Sequence, residues 1–237
     1  MIIQIQKEKV VGVQQMINFK NTSVMNFENA IRGMRNPLNS WEKSHNKYCL
    51  PNMCSSCLKC NCDDNDDIDW TPYQICDEDL DLAVRLIHGG SEHRKFLRQI
   101  FVSVDITAPL YWWKQFDTYK IGTVSNSCST MHKIHAKQFC TDDFSYEDMT
   151  KGGLTTLSYI IESLNQARRI YLENKDKQYW FDMIKLLPEC YNQTRTITMN
   201  YENILTICKQ RKGHKLKEWE YFIQWANELP YAKYFLQ

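Results

Sequence analysis

The chain has 237 residues, 43% of them hydrophobic, which suffices for a substantial buried core, and its formal net charge is +1. With 29 basic and 28 acidic residues it has no basic footprint for a nucleic-acid duplex. No apolar run approaches the roughly 20 residues that span a bilayer, and the opening MIIQIQKEKVVGV lacks the layout of a secretory leader, so a cytoplasmic location with reduced cysteines is expected.

Residues 2–19 pattern as a strand or strand pair, and a helix is predicted from about Asn26 to Met34, ending at Asn36-Pro37. Residues 39–76 form a polar, cysteine-rich insert that carries the acidic run Asp63–Asp67, read as a solvated loop. Asp77 is expected to cap an amphipathic helix with Leu80, Val84 and Ile87 on one face, stopped by Gly89-Gly90. Ile100, Val102, Val104 and Ile106 then alternate with Phe101, Ser103 and Asp105, the period of a half-buried strand.

Thr107 is placed to cap the next helix, which has Pro109 in its first turn and runs to Tyr119. From Thr123 to Thr130 the chain is dense in hydroxyl and amide side chains, a loop suited to oxygen-rich ligands, and a strand is expected through Ile134. Ser145 to Asp148 resembles a capping signal ahead of a long helix over Leu154–Leu172. Asp176 caps another helix that reaches Pro188, and Thr194–Met199 alternates as a short strand. Asn200 caps a helix to about Arg211, and a last helix spans about Leu216 to Leu229. The pattern predicts one domain of mixed α/β (α+β) class with more helix than strand.

Cys54-x-x-Cys57-x-x-Cys60-x-Cys62, flanked by Cys49 and Cys76, is the densest cluster of potential ligands. Four thiolates at short spacing suit a tetrahedral structural Zn²⁺; the other reading is reduced, unliganded cysteines. Glu92-His93-Arg94 concentrates charge before the buried strand and reads from composition alone as a solvated helix end. Arg211 at a helix end has an equally plain reading, favourable contact with the helix dipole.

Several of these residues together resemble the flavin-dependent thymidylate synthases. That family runs from a Glu-His pair through a strand and an Ala-Pro-started helix ending in Gln, to Arg-His-Arg and a loop Asn-Glu-x-Ser-x-Arg-Tyr. Here Glu92-His93, Ala108-Pro109 and Gln115 match, while Thr118, Tyr119 and Lys120 stand where Arg-His-Arg would be. Asn126 to His132 occupy the loop motif with one residue inserted, with Asn126 and Ser129 keeping their character. Leu187-Pro188, Arg195, Asn200, Arg211, His214 and Trp219-Glu220 echo the family's late segment.

The resemblance implies an antiparallel-rich sheet covered by helices, FAD as cofactor and a homotetramer with shared sites. It also implies transfer of a one-carbon unit from methylenetetrahydrofolate to a pyrimidine deoxynucleotide, dUMP or a relative. By the same resemblance Gln115 and Arg211 are the candidates for catalysis. His93, Tyr119, Lys120, Asn126 and His214 would lie against the cofactor, and Ser129, Arg195 and Arg211 against the nucleotide. The alternative is a non-catalytic nucleotide-binding protein that kept the fold and lost the flavin chemistry.

Overall fold

The computed structural model describes residues 2–5, 17–48 and 73–237. Its centre is a five-stranded antiparallel sheet in the order β1 (Ile2–Ile5), β2 (Asn18–Met25), β5 (Phe101–Pro109), β7 (Asn192–Asn200), β6 (Val124–Ser127). The two-stranded β3 (Lys47–Tyr48) and β4 (Tyr73–Gln74) form a separate hairpin stem. Between the stem's ends lies most of the cysteine-rich insert; Cys54, Cys57, Cys60 and Cys62 fall outside the described residues.

β5 forms as its alternation predicts. Val102, Val104, Ile106 and Ala108 are buried, and Ser103, Asp105 and Thr107 face the other way. Each such β-branched side chain contributes about 1.5–3 kcal/mol by leaving water. On the core face these residues pack with α1 (Phe27–Met34), α2 (Asp77–His88), α3 (Leu110–Phe116), α6 (Tyr201–Arg211), α7 (Lys217–Asn227) and α8 (Ala232–Phe235). The opposite face carries a polar ladder: Thr107 bonds Thr194, Thr198 bonds Ser103, and Asp105 accepts from Thr196 and Asn21. Asn21, at φ 53, marks a bulge in β2 between Lys20 and Ser23.

A second apolar cluster joins α4 (Lys151–Asn174) and α5 (Lys177–Lys185) to the segment holding Ile134, Phe139 and Phe144. Asn165 pins that segment by hydrogen bonds to both N–H and C=O of Phe139, each 2.9 Å.

Several expected boundaries move. Thr107 does not cap α3: it stays in β5, bonded to Thr194, and Pro109 is the N-cap, so the helix runs Leu110–Phe116 and stops short of Tyr119. The expected polar loop contains β6, and the residues to Ile134 form turns and no strand. On α2 the buried face is Asp79, Leu82, Ala83 and Ile87, because Asp79 pairs with Arg35 inside the protein and rotates the helix away from the apolar prediction. Cys76 occupies the N-cap position that Asp77 was expected to fill; its Sγ makes no capping bond and instead accepts from His45 N at 3.4 Å. Thr150 caps α4 in place of the Ser145 signal, and Ser145 is buried against Asn192. Asp176 does cap α5, which ends at Lys185, and Asn200 caps α6 in a reciprocal box with Asn203. No helix among the described residues is long and apolar enough to cross a membrane.

Candidate functional site

α3 and the C-terminal end of α6 converge on α7. Trp112 and Phe116 of α3 pack in stacked and tilted arrangements against Trp219 and Phe222 of α7, forming a buried aromatic floor. Gln115, one turn along α3, lies above this floor. Its Oε1 accepts from Trp219 Nε1 at 2.9 Å and from Arg211 Nη1 at 3.4 Å. Arg211, the last residue of α6, donates from Nε to the Tyr119 hydroxyl at 2.8 Å. Its guanidinium carbon sits 4.6 Å from the Trp219 ring centre and 5.4 Å from that of Tyr119.

The physical consequence is specific. The guanidinium is held by two aromatic faces, each contributing about 0.5–2 kcal/mol, and by neutral acceptors. No carboxylate pairs with Arg211 among the described residues. Arg211 is thus a half-buried positive charge at the C-terminal end of α6, where the helix dipole favours a cation, and its planar fork has donor capacity beyond the two neutral acceptors it meets. His214 follows in the turn to α7, its ring 6.3 Å from Trp219. Its Nδ1 accepts from Leu216 N at 3.1 Å, which leaves Nε2 as the donor of the neutral imidazole.

Next to Tyr119 lies an open cavity of about 210 Å³, lined by Thr118, Tyr119, Lys120, Ile121, Glu202, Asn203 and Thr206. Its rim is set by the capping box of α6. Asn203 Nδ2 donates to Ile121 O at 2.6 Å, and a Cβ on Gly122, at φ +73, would lie 2.9 Å from Asn203 Oδ1. Lys120 is exposed there and has no acid partner among the described residues. Glu202 is held by Arg94 through a forked pair, with contacts of 2.8 Å from both Nε and Nη2.

Gln115, Tyr119, Arg211 and His214 therefore come together around Trp219, with Lys120 beside them. The other residues expected in the same pocket do not join them. Arg195 stacks on Trp113 at 4.2 Å but is neutralised by Asp117 at 2.7 Å and bonded to Gln193. Asn126 pairs in register with Thr196, and Ser127 with Arg195, so Asn126 lies on the sheet face opposite Arg195. Ser129 Oγ is occupied by Met131 N and His132 N in a local turn. His93 is exposed against Gly89, and its neighbour Arg94 makes the link to α6.

Sequence reasoning missed Asp117 as the partner that cancels Arg195, and Glu202 and Asn203 as cavity walls. A signal existed for Asn203, three residues after a capping Asn200. For the Asp117–Arg195 pair, 78 residues apart, there was none. Among the described residues no group of three His, Cys, Asp or Glu side chains is placed to hold a metal.

The fold itself is shared with solved enzymes. Thymidylate synthase X from Helicobacter pylori, solved with FAD and dUMP, superposes with a TM-score of 0.59 at 15% identity, covering 93% of this chain and 95% of that one. A second structure of the flavin-dependent ThyX from Helicobacter pylori, also complexed with FAD and dUMP, gives 0.59 and 15% over 94% and 97%. The UMP/dUMP methylase PolB from Streptomyces cacaoi, bound with 5-Br UMP, gives 0.49 and 12% over 68% and 84%. No protein-family model matches the sequence, and no curated protein matches it either. At such identities the likeness is one of fold: a mixed α/β chain built on the antiparallel sheet of the flavin-dependent thymidylate synthases.

Proposed function

We propose that this chain binds a pyrimidine nucleotide, with Arg211 presenting its planar guanidinium to the base carbonyls. The observation that carries this is the state of Arg211: stacked between Tyr119 and Trp219, bonded to neutral oxygens, and paired with no acid among the described residues. Because Gln115 Oε1 already accepts from both Trp219 and Arg211, its amide NH₂ is left to donate to the same base. Lys120 supplies charge for the phosphate from the adjoining cavity. The dUMP bound in the Helicobacter pylori structures supports the choice of ligand. Titration of dUMP against the purified protein tests this: saturable binding supports it, and no binding overturns it.

FAD fits this single subunit poorly. Its pyrophosphate needs several donors, yet Thr118 Oγ1 is bonded to Gln115 O and Arg195 is neutralised by Asp117. That leaves Lys120 as the one cation among the residues lining the cavity. A nucleotide-binding protein without flavin chemistry is the reading this geometry favours.

The second reading is the full enzyme. It would be a cytoplasmic homotetramer that moves a one-carbon unit from methylenetetrahydrofolate to the nucleotide, with FAD held between subunits. The extent of the fold match, over nine-tenths of the chain, speaks for it. A yellow protein that releases FAD on denaturation decides for the enzyme, and a colourless one decides against it. For the insert, we keep one structural Zn²⁺ on Cys54, Cys57, Cys60 and Cys62 as a proposal, and metal analysis of reduced protein tests it.

A further inference from the structure

Three consecutive residues at the start of α7 hold the segment leading into α4 and both ends of α3. Lys217 reaches Asp148, in the segment leading into α4, with Nζ 2.9 Å from Oδ2. Glu218, only 2% exposed, accepts a hydrogen bond from the Tyr111 hydroxyl in the first turn of α3. Trp219 donates to Gln115 in the last turn of α3 and lies under Arg211.

Tyr111 itself packs against both apolar clusters, the one beneath the sheet and the one built by α4 and α5. Its backbone N–H is bonded to Glu189 O at 3.1 Å, so the ring and the backbone are both anchored to the segment that follows α5. No cation pairs with Glu218 among the described residues. The buried carboxylate depends on the Tyr111 hydroxyl and on the favourable dipole at the start of α7. A charge-assisted bond in such surroundings fixes geometry closely, because the carboxylate has no water to exchange with.

We propose that Glu218 is a positioning residue, which through Tyr111 couples the seating of the α4–α5 lobe to the placement of Trp219, Gln115 and Arg211. Occupancy of the site and docking of the lobe then favour one another. A ligand that needs Arg211 and Gln115 in place binds best when the lobe is seated, and it holds the lobe seated in return. The affinity part of this inference rests on the nucleotide reading given above; the coupling does not.

The test uses the full chain in three variants: Tyr111→Phe, Glu218→Leu and Glu218→Gln. For folded protein the Kd for dUMP is expected to rise about tenfold in Tyr111→Phe and Glu218→Leu, the ordinary size of such couplings. Glu218→Gln keeps an acceptor for the phenol and should stay within about twofold of wild type. A purely structural role would lower the melting temperature and leave the affinity of folded protein unchanged. Hydrogen exchange without ligand provides the independent arm, and Tyr111→Phe serves for both if Glu218→Leu does not fold. In Tyr111→Phe the amides of Trp219 and Met149, hydrogen-bonded to Leu216 O and Tyr146 O, should lose protection together.

Loss on one side alone, or unchanged affinity in the folded variants when the wild type binds, overturns the coupling. If the wild type binds no dUMP, the nucleotide reading falls. The exchange result then decides the coupling by itself.

Discussion

Asp79→Ala is the sharpest probe of how the fold is held. Asp79 is fully buried on α2 and accepts from Arg35 Nε at 2.6 Å, from Ser44 Oγ at 2.5 Å and from Asn46 Nδ2 at 2.6 Å. It therefore joins the end of α1 to α2 and to the stem of the insert. Arg35 has a side chain only 6% exposed, and its Nη2 already lacks a hydrogen-bond partner. Removing the carboxylate strands that guanidinium, a change that costs about 3–5 kcal/mol. In a chain of this length each kcal/mol lowers the melting temperature by roughly 2–4 °C, so a fall of roughly 6–20 °C is expected. Thermal unfolding followed by circular dichroism measures it. A paired Arg35→Met, Asp79→Leu variant should recover much of the loss, because no buried charge is then left unpaired. A single-variant loss below about 1 kcal/mol would refute the reasoning, since it would mean that water reaches Arg35 at little cost.

Gly122→Ala forces a side chain into the left-handed region and toward Asn203 Oδ1; a destabilisation of about 1–3 kcal/mol is expected, read as a lower urea midpoint. Burial pushes the Cys208 thiol up to about 12, whereas Cys128 and Cys140 are exposed. Alkylation at pH 8 mapped by mass spectrometry should therefore label Cys128 and Cys140 early and Cys208 last; early labelling of Cys208 would contradict its packing. The Thr196 hydroxyl, and then the Asn21 amide, hold the Asp105 carboxyl below the usual carboxylate range. A lowered folded pKa stabilises above the unfolded value, and that contribution is lost as pH falls through the folded one. The stability gap between wild type and Asp105→Asn should accordingly close on acidification from neutrality to about pH 2; a gap unchanged across that range would show that the hydrogen bonds do not distinguish the charged form.

What the sequence made legible follows from how local each cause is. The alternation of Val102, Val104 and Ile106 needs only the pleat of a strand, and the caps at Asp176 and Asn200 need only their own first turns. Gln115, Tyr119, Arg211 and His214 were marked by resemblance, and the fold brings them to one place. β6 was not readable because Val124–Ser127 is an edge strand, exposed on both faces, so its side chains do not alternate in polarity and only its pairing with β7 defines it. α2 was misread because a charge, Asp79, occupies a core position, and its partner lies 44 residues away. Arg195 kept the residue type expected for a ligand contact, yet Asp117 cancels its charge, a pairing visible only once α3 is laid across β7.

Calorimetric titration of dUMP into wild type and Arg211→Ala tests the central claim most directly. Truncating a half-buried guanidinium that donates to the base should cost about 2–4 kcal/mol in affinity, roughly 30- to 900-fold in Kd. Binding by the wild type with that loss in the variant is the predicted result. Equal affinities, or no heat and no binding in the wild type, would contradict it.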